Sequence, residues 1–311
     1  MADPSSVSKS EALLASQGVA ATRGFVNMGN TCYFNAILQV LVHSESVRNS
    51  YDSFLIPNDG SQLSHGEMIH NEFGLIVRRQ WNVSGKFQQV AIRPSRLFAS
   101  LKRSDPTLFR IGIQQDAHEA LMSLLAAIEN PREVSLTNLF KFEVMSIMVC
   151  QSCRTIPEPK VTVENQVIIP LENNENIYSI TWGVGERFAP EYLDGVRCSG
   201  CEGEVQLATR IHAVATHPKL LLVVIQRSNA FGQKIHTRVL LDKRLKFGLG
   251  VYKLIGVVHH VGNSVNSGHY TADFYHFEDN NWYHADDSTV QTLRYSHWVS
   301  RTAYILLYEL S

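Results

Sequence analysis

The sequence of 311 residues has no hydrophobic run long enough to cross a bilayer and no excess of charge of either sign. A membrane-spanning helix needs about 20 consecutive apolar residues, whereas the longest apolar run, Leu220–Ile225, has the length of a strand. Lysine and arginine number 28, aspartate and glutamate 29, and the formal net charge is -1. Nucleic-acid binders usually carry a clear basic excess. The sequence therefore predicts neither a membrane protein nor a nucleic-acid binder.

The first 22 residues lack the features of a secretory signal. Asp3, Pro4 and three serines stand near the start, and no basic segment precedes the short apolar stretch. We interpret 1–22 as a disordered leader. We also expect a cytoplasmic or nuclear protein, in which cysteines stay reduced.

Cysteine is scarce, and its five copies fall into two groups. Cys150 with Cys153 and Cys198 with Cys201 form two C-x-x-C pairs, while Cys32 stands alone. Two such pairs supply the four ligands of a tetrahedral structural zinc ion. The alternatives are an incidental pair, buried thiols or a redox pair, although a redox C-x-x-C normally lies near a βαβ unit, which this sequence does not predict. We expect a zinc ion that joins two hairpin tips.

The first third of the chain has helical patterns and the second half is rich in strand patterns. Cys32–His43 is apolar on several faces, as in a buried helix, and Gln115–Glu129 carries apolar residues on one face. Strands are predicted at Phe142–Val149, Val161–Ile169, Gln206–Val214, Leu220–Gln226, Tyr252–Val261, His269–Phe277 and Thr302–Tyr308. Helices followed by strands indicate an α+β fold.

Cys32 lies at the predicted start of a helix, directly after the turn Gly29–Thr31. Unpaired N–H groups at a helix start carry partial positive charge, which stabilises a thiolate. Position alone fits an inert buried cysteine better than a nucleophile. The other four cysteines have a different predicted role, which leaves Cys32 as the thiol free to react.

Four motifs, in order, resemble those of the ubiquitin-specific proteases. Gly24–Gln39 resembles the cysteine box of that family, and Gln114–Glu119 resembles its Q-Q-D-x-x-E element. The two C-x-x-C pairs match its zinc-bearing fingers. Three further segments resemble the histidine box of that family: Ser267–Tyr270, Trp282–Tyr283 and Asp286–Ser288. The resemblance covers nearly the whole chain.

This resemblance implies a papain-like cysteine protease fold in one catalytic domain over 23–311. Its parts would be a helical thumb at about 23–135, fingers with part of the palm at 136–215, and a β-rich palm at 216–311. The implied activity is a deubiquitinating thiol hydrolase that cleaves the peptide or isopeptide bond after the C-terminal glycine of ubiquitin. The implied partners are ubiquitin, ubiquitinated proteins and, as in many family members, an activating protein. A protease for a ubiquitin-like modifier and an inactive ubiquitin-binding scaffold stay open as alternatives.

Matched position by position, the resemblance makes Cys32 the nucleophile and His269 the general base that later acts as acid. Asp286 would orient the imidazole, Asp287 would support or share that role, and Asn27 would donate to the oxyanion. A thiolate paired with an imidazolium attacks an amide without a separate deprotonation. Loss of one oxyanion donor slows other proteases about 10²–10³-fold.

The resemblance also implies four residues that bind the tail of ubiquitin. Asp116 and Glu119 would pair with its arginines, because they lie one helical turn apart. Gln114 would bond the backbone of the tail, and Gly268 would let it pass closely. From the residues alone, a helix cap at Asp116 and a solvated face at Glu119 are the commoner roles.

Two features stand apart from the resemblance. Strict pairing about a turn centred near Asn280 would place Asp286 opposite Asp273, so contact between Asp286 and His269 needs a bulge or an offset. The chain also departs from common family residues, which puts substrate preference in question more than activity. These departures are Ala120, Ile225–Ser228 and the pair Asp273-Phe274.

Overall fold

The computed structural model describes residues 22–52, 63–81, 90–128, 136–155, 158–205, 207–293 and 298–311. The predicted leader, 1–22, lies outside these described residues except for Thr22. None of the helices in this part of the chain is long and apolar enough to cross a membrane.

The helices of the described residues lie mainly in the first half of the chain. They are α1 Cys32–Val42, α2 Glu45–Asp52, α3 His65–Trp81, α4 Ser95–Ser104, α5 Ala117–Ala127 and α6 Ile180–Arg187. Every residue of α1 is buried, as its apolar pattern predicts. α5 begins two residues later than predicted, because Asp116 is its N-cap and Gln115 precedes that cap.

The strands follow in the second half. They are β1 Phe142–Cys150, β2 Lys160–Glu164, β3 Val167–Pro170, β4 Tyr178–Ser179, β5 Glu191–Leu193, β6 Val196–Cys198, β7 Gly203–Val205, β8 Ala208–Val214, β9 Leu220–Gln226, β10 Val239–Leu240, β11 Arg244–Phe247, β12 Gly250–Val261, β13 His269–His276, β14 Asn281–Asp286, β15 Thr289–Thr292, β16 Val299–Ser300 and β17 Ala303–Leu310. The prediction of one strand over Val161–Ile169 is wrong. That segment forms β2 and β3, which belong to different sheets.

The largest sheet has the strand order β15-β14-β13-β12-β17-β9-β3, with β11 also paired to β12. A four-stranded sheet, ordered β2-β1-β8-β5, adjoins the β6–β7 hairpin in sequence, and a small sheet joins β16, β10 and β4. Neighbouring strands of the large sheet are mostly antiparallel, but β3 runs parallel to β9. Helices and antiparallel strands are segregated along the chain, which confirms the α+β prediction.

The hydrophobic cores lie on the two faces of the large sheet. One core joins α1, α3, α4 and α5 to one face, and the other packs α6 against the opposite face. α1 approaches β12 so closely that a Cβ on Gly256 would lie 2.8 Å from the Cβ of Val40. Val40 lies near the end of α1, and Cys32, at its start, shares a core with Tyr270 of β13, so the helix packs along the sheet that carries His269.

Candidate functional site

The turn before α1 sets the position of Cys32. Gly29 and Asn30 have φ values of 110° and 52°, in the left-handed region that glycine and asparagine tolerate best. The Oδ1 atom of Asn27 accepts hydrogen bonds from the N–H groups of Gly29 and Thr31, at 2.9 and 3.2 Å. The Asn27 side chain therefore stabilises the turn by bonding two of its N–H groups, and the helix begins at Cys32.

The thiol of Cys32 is buried, with 3% of the residue exposed. Burial raises the pKa of Cys32, and the nearby carboxylate of Asp287 raises it further. Backbone hydrogen bonds with Tyr270, Tyr33 and Cys32 itself lower the pKa. The effect of the helix start has the predicted direction, but burial outweighs it, and the neutral thiol is favoured before any substrate is bound.

His269 and Asp286 meet where β13 begins and β14 ends. The distance from His269 Nε2 to Asp286 Oδ1 is 2.7 Å. Both side chains are partly exposed, at 41% and 53%. Because Asp286 occupies Nε2, the Nδ1 atom of His269 is left to face a reacting group.

The register of this hairpin differs from the expected one. His284, and not Asp286, lies opposite Asp273, since the turn is centred one residue earlier than predicted. Extending the register places Asp286 beside Thr271, so His269 is its diagonal neighbour on the same face, within reach of long side chains. The β13–β14 pairing has no bulge, and an offset alone brings the two residues together.

Asp287 has a carboxylate oxygen within 4.8 Å of a ring nitrogen of His269, but its hydrogen bonds go to the first helical segment. Its carboxylate accepts hydrogen bonds from Asn27 Nδ2 and from Asn35 Nδ2, both at 2.8 Å. Its backbone oxygen accepts a bond of 2.8 Å from the N–H of Phe25. The two adjacent acids therefore have separate partners: Asp286 holds the imidazole, and Asp287 holds the segment that leads to Cys32.

Asn35 is a member of this site that the sequence reasoning did not single out. It lies three residues after Cys32 and therefore nearly one turn along α1. Its position inside the motif Gly24–Gln39 is the feature of the sequence that could have identified it as a site residue. A buried asparagine in an apolar helix needs a polar partner, and that partner is Asp287.

Cys32 and His269 are not directly joined in this state. Among the hydrogen bonds of the described residues, Cys32 Sγ accepts one from Gln114 Nε2 at 3.9 Å, and none links it to His269. Catalytic hydrogen bonds are often long or absent before substrate binds. The arrangement therefore remains compatible with a nucleophile and base that align on binding.

Gln114 and Gly268 bind each other across this site. Gln114 Nε2 donates to the oxygen of Gly268 at 2.6 Å, and its Oε1 accepts from the N–H of Gly268 at 3.1 Å. A Cβ on residue 268 would lie 2.2 Å from the oxygen of Val261 and 2.6 Å from Nε2 of His260. The chain's own packing thus already requires glycine at position 268.

Asp116 and Glu119 are in different surroundings. Asp116 accepts bonds from the N–H groups of His118 and Glu119, at 2.8 and 3.1 Å, and so caps α5. It also accepts a bond from the hydroxyl of Tyr304 at 2.8 Å. Glu119 is exposed and lines, with Asp116 and Tyr304, a cavity of about 490 Å³. The carboxylate of Asp116 is committed to its own chain, while that of Glu119 faces solvent.

The four paired cysteines converge at one point. Their sulfur atoms all lie within 4.8 Å of one another. The distances from Cys150 to Cys201 and from Cys153 to Cys198 are 3.7 and 3.5 Å between sulfurs. Zinc–sulfur bonds of about 2.3 Å in tetrahedral geometry require sulfurs about 3.8 Å apart. The four residues are therefore compatible with a structural zinc ion.

Solved structures with a similar fold include complexes with ubiquitin. A chain in the structure of the SAGA Ubp8/Sgf11/Sus1/Sgf73 DUB module bound to ubiquitin aldehyde superposes with a TM-score of 0.77. That match is 19% identical and covers 97% of this chain and 75% of that chain. A second structure of this module, bound to monoubiquitin, also has a TM-score of 0.77, at 20% identity. These chains share one fold.

Sequence comparison then defines the family. A family model described as ubiquitin carboxyl-terminal hydrolase matches residues 23–308, and the chain belongs to that family. Ubiquitin carboxyl-terminal hydrolase 36 of Drosophila pseudoobscura pseudoobscura is 25% identical over 319 residues, which is 92% of this chain and 29% of that protein. The same-named protein of Drosophila melanogaster is 26% identical and is covered over 30% of its length. The chain spans less than a third of these curated relatives.

Proposed function

We propose that this chain is a deubiquitinating thiol hydrolase, which cleaves the peptide or isopeptide bond after the C-terminal glycine of ubiquitin. The observation that carries the proposal is the pair formed by His269 and Asp286, 2.7 Å apart, on the sheet against which the Cys32 helix is packed. Membership in the ubiquitin carboxyl-terminal hydrolase family supports the choice of ubiquitin as the modifier.

In the proposed mechanism, Cys32 is the nucleophile and His269 takes its proton through Nδ1. Asp286 keeps the imidazole in the required tautomer and stabilises the imidazolium that forms. Asn27 donates to the oxyanion through Nδ2, together with the N–H of Cys32. Asp287 positions Asn27, since it accepts one hydrogen of that amide at 2.8 Å and leaves the second for the substrate. His269 then returns the proton to the departing amine.

The proposed path of the ubiquitin tail lies along the cavity beside α5. Glu119 is exposed there and offers a free carboxylate for an arginine of the tail. Asp116 would act mainly by capping α5, and any contact with the tail would compete with the hydroxyl of Tyr304. Gln114 would exchange its bonds with Gly268 for bonds to the tail backbone, because both offer the same donor and acceptor.

A ubiquitin probe with a C-terminal electrophile tests the proposal. We expect a covalent adduct at Cys32, identified by peptide mass spectrometry, and no adduct with Cys32→Ala. His269→Ala should slow adduct formation strongly, while His65→Ala, whose ring contacts Ser104 instead, is the matched control. Folded protein that reacts with no ubiquitin probe would refute the proposal. Faster labelling by a probe of a ubiquitin-like modifier would change the proposed substrate.

We also propose that the four paired cysteines hold one structural zinc ion. The β6–β7 hairpin supports this, because Cys198 lies on β6 and packs only with Cys150 and Val196 in its small cluster. A hairpin with so little apolar burial needs a cross-link. Metal analysis should find about one zinc per chain, and substantially less than one would contradict the site. Cys150→Ser should lower the zinc content and increase proteolysis near residues 150–205, while iodoacetamide still alkylates Cys32.

The proposed division of the domain follows the family. Residues 23–135 would form the thumb, 136–215 the fingers with part of the palm, and 216–311 the palm. An activating protein partner and a cytoplasmic or nuclear location belong to the same proposal. Both a thiol nucleophile and a thiolate zinc site require reduced cysteines, which supports that location.

A further inference from the structure

A second cavity lies at the far end of the hairpin that carries His269. Its volume is about 470 Å³, in the range of small-molecule sites. The β13–β14 turn contributes Asn280 and Asn281 to its wall. His269 begins β13 and this turn follows its end, so the length of β13 separates the cavity from Cys32 and His269. The proposed catalytic mechanism gives this cavity no role.

The cavity combines positive charge with aromatic rings. Its charged and aromatic lining residues are Lys243, Arg244, Lys253, Tyr275, Trp282 and Trp298. Its lining among the described residues contains no aspartate or glutamate. None of the ion pairs of the described residues includes Lys243, Arg244 or Lys253. Three cations thus surround one space whose described lining holds no carboxylate.

The strand register brings two of these cations directly opposite each other. Arg244 on β11 pairs with Lys253 on β12. Like charges at directly opposed positions of antiparallel strands repel each other. Glu309, which lies opposite Lys253 on β17, forms no ion pair with it among the described residues, and its carboxylate instead accepts bonds from the Ser44 hydroxyl and the Ser46 N–H at 3.0 and 2.6 Å. An anion placed between Arg244 and Lys253 would relieve this repulsion.

The aromatic rings keep the ammonium groups in place. Lys253 Nζ lies 3.4 Å from the ring centroid of Tyr275, and Lys243 Nζ lies 4.6 Å from that of Trp298. Trp282 meets Trp298 edge to face, with centroids 5.3 Å apart. Cation–π contacts hold the cations at the wall and leave them their charge. The cavity is therefore a preorganised cationic site with an apolar, aromatic lining.

We propose that this cavity binds a small phosphate-bearing ligand. The guanidinium of Arg244 matches two phosphate oxygens at once, and the two ammonium groups supply point charges beside it. Three cations suit a ligand with two or three negative charges. The indole and phenol rings offer a stacking surface for a planar group attached to the phosphate.

Calorimetric titration of the full chain with pyrophosphate and with ADP tests the site. In about 0.15 M salt, where exposed charges are screened beyond about 8 Å, we expect saturable binding of at least one probe at one site per chain. Arg244→Gln should weaken binding tenfold or more, because a charged hydrogen-bond donor is lost. If ADP binds more tightly than pyrophosphate, the aromatic rings contact the planar base. If the two bind equally, the cavity recognises the phosphates alone.

Lys246→Gln is the matched control. Lys246 lies on the same strand as Arg244, is exposed, pairs with Val251 and does not line the cavity. We expect its affinity to stay within about twofold of the wild-type value, since diffuse attraction by a surface lysine is weak. The same titrations with Cys32→Ala should give unchanged binding, so the result does not depend on the proposed hydrolase activity.

Two outcomes would overturn this site. One is the absence of saturable binding by either probe in protein that unfolds cooperatively. The other is a loss of affinity in Lys246→Gln as large as that in Arg244→Gln, which would mean general attraction of anions and no built site.

Discussion

At the residue scale, two adjacent aspartates hold two different parts of the site. Asp286 ends β14 and bonds His269, whereas Asp287, with a φ of 50°, has its carboxylate within 4.8 Å of the same imidazole but bonds other residues. Asp287 then joins Asn27 and Asn35 through one carboxylate. One dipeptide therefore positions both the proposed base and the proposed oxyanion donor.

Asp287→Asn should separate these two roles. Asparagine tolerates a positive φ, but its amide offers one acceptor oxygen where the carboxylate has two, so either Asn27 or Asn35 loses its partner. We expect turnover of a fluorogenic ubiquitin substrate to fall about 10²-fold, as on the loss of one oxyanion donor. Asp286→Asn is the control: it should slow both turnover and alkylation of Cys32 by iodoacetamide. If Asp287→Asn and Asp286→Asn change the alkylation rate equally, the two aspartates do not have separate roles.

The buried thiol of Cys32 gives a prediction for pH dependence. Because burial and Asp287 raise the pKa of Cys32, its thiolate fraction should be small at neutral pH and should grow as the pH rises past the ordinary thiol value of about 8.5. The rate of Cys32 alkylation, followed by peptide mass spectrometry, should therefore still increase above pH 8.5. Asp287→Asn should shift this profile to lower pH. A rate that levels off near pH 6 would show that the helix start outweighs burial.

At the element scale, strands β12, β13 and β14 share a buried polar cluster next to the His269–Asp286 pair. Asp273 accepts from His284 Nδ1 at 2.6 Å and from His259 Nε2 at 2.8 Å. Its side chain is only 7% exposed. The hydrogen bond to Asp273 raises the pKa of His284, and Asp286, two residues along the same strand, raises it further. Asp273 thus links β13 to β14 through His284 and to β12 through His259.

His284→Gln should lower stability in a pH-dependent way. A raised pKa in the folded state stabilises the protein fully below the unfolded pKa of about 6.5, and this stabilisation is lost as the pH rises through the folded pKa. The free energy of unfolding should therefore differ between wild type and variant by about 1.5–3 kcal/mol near pH 6, the range of a hydrogen bond to a charged group. The difference should shrink near pH 9.

The double variant Asp273→Asn/His284→Gln, compared with Asp273→Asn, is the control. Denaturant unfolding should then give a smaller difference that depends less on pH, because Asp273, the main cause of the raised pKa of His284, is absent and only the weaker effect of Asp286 is left. A difference that grows with pH in the wild-type background would contradict the assignment.

Helices and strands were predicted well where the apolar pattern of one segment is enough to define the element. They were predicted poorly where the choice of the paired strand sets the bounds or the register. α1 and β9 follow from apolar patterns that match buried elements. Val161–Ile169 was wrongly predicted as one strand, because its period does not reveal that Val167 pairs with β9 while Val161 pairs with β1. The register error at Asp286 has the same origin. A turn with two acids and two asparagines fits several centres, so its sequence alone does not set the register.

The site was predicted from motifs as a set of residues, but the partners of those residues were not. Cys32, His269 and Asp286 were named from the resemblance, and the structure brings the last two together. The link from Asp287 to Asn35 joins segments about 250 residues apart, so no local pattern encodes it. The pKa direction of Cys32 depends on burial, which a helix-start argument cannot supply.

At the scale of the whole molecule, the site lies where the helical part meets the large sheet, and a few polar contacts close that boundary. Gln114 precedes α5 and binds both backbone groups of Gly268, which precedes β13. Arg48 of α2 forms an ion pair with Glu278 at 2.6 Å and stacks on Trp81. The contact made by Gln114 lies directly over the thiol, because the same Nε2 atom is 3.9 Å from Cys32 Sγ.

This contact predicts that Gln114 limits access to Cys32 before substrate binds. Gln114→Ala removes both bonds to Gly268, so alkylation of Cys32 by a bulky maleimide should accelerate severalfold, while the smaller iodoacetamide should gain less. The same variant should raise the KM for a ubiquitin substrate, because the proposed bonds to the tail backbone are lost as well. Gln115→Ala is the matched control, since Gln115 binds the oxygen of Thr107 and not Gly268. If maleimide reacts equally with both variants and the wild type, Gln114 does not close the site, and the boundary between helices and sheet must open by another route to admit the proposed ubiquitin tail.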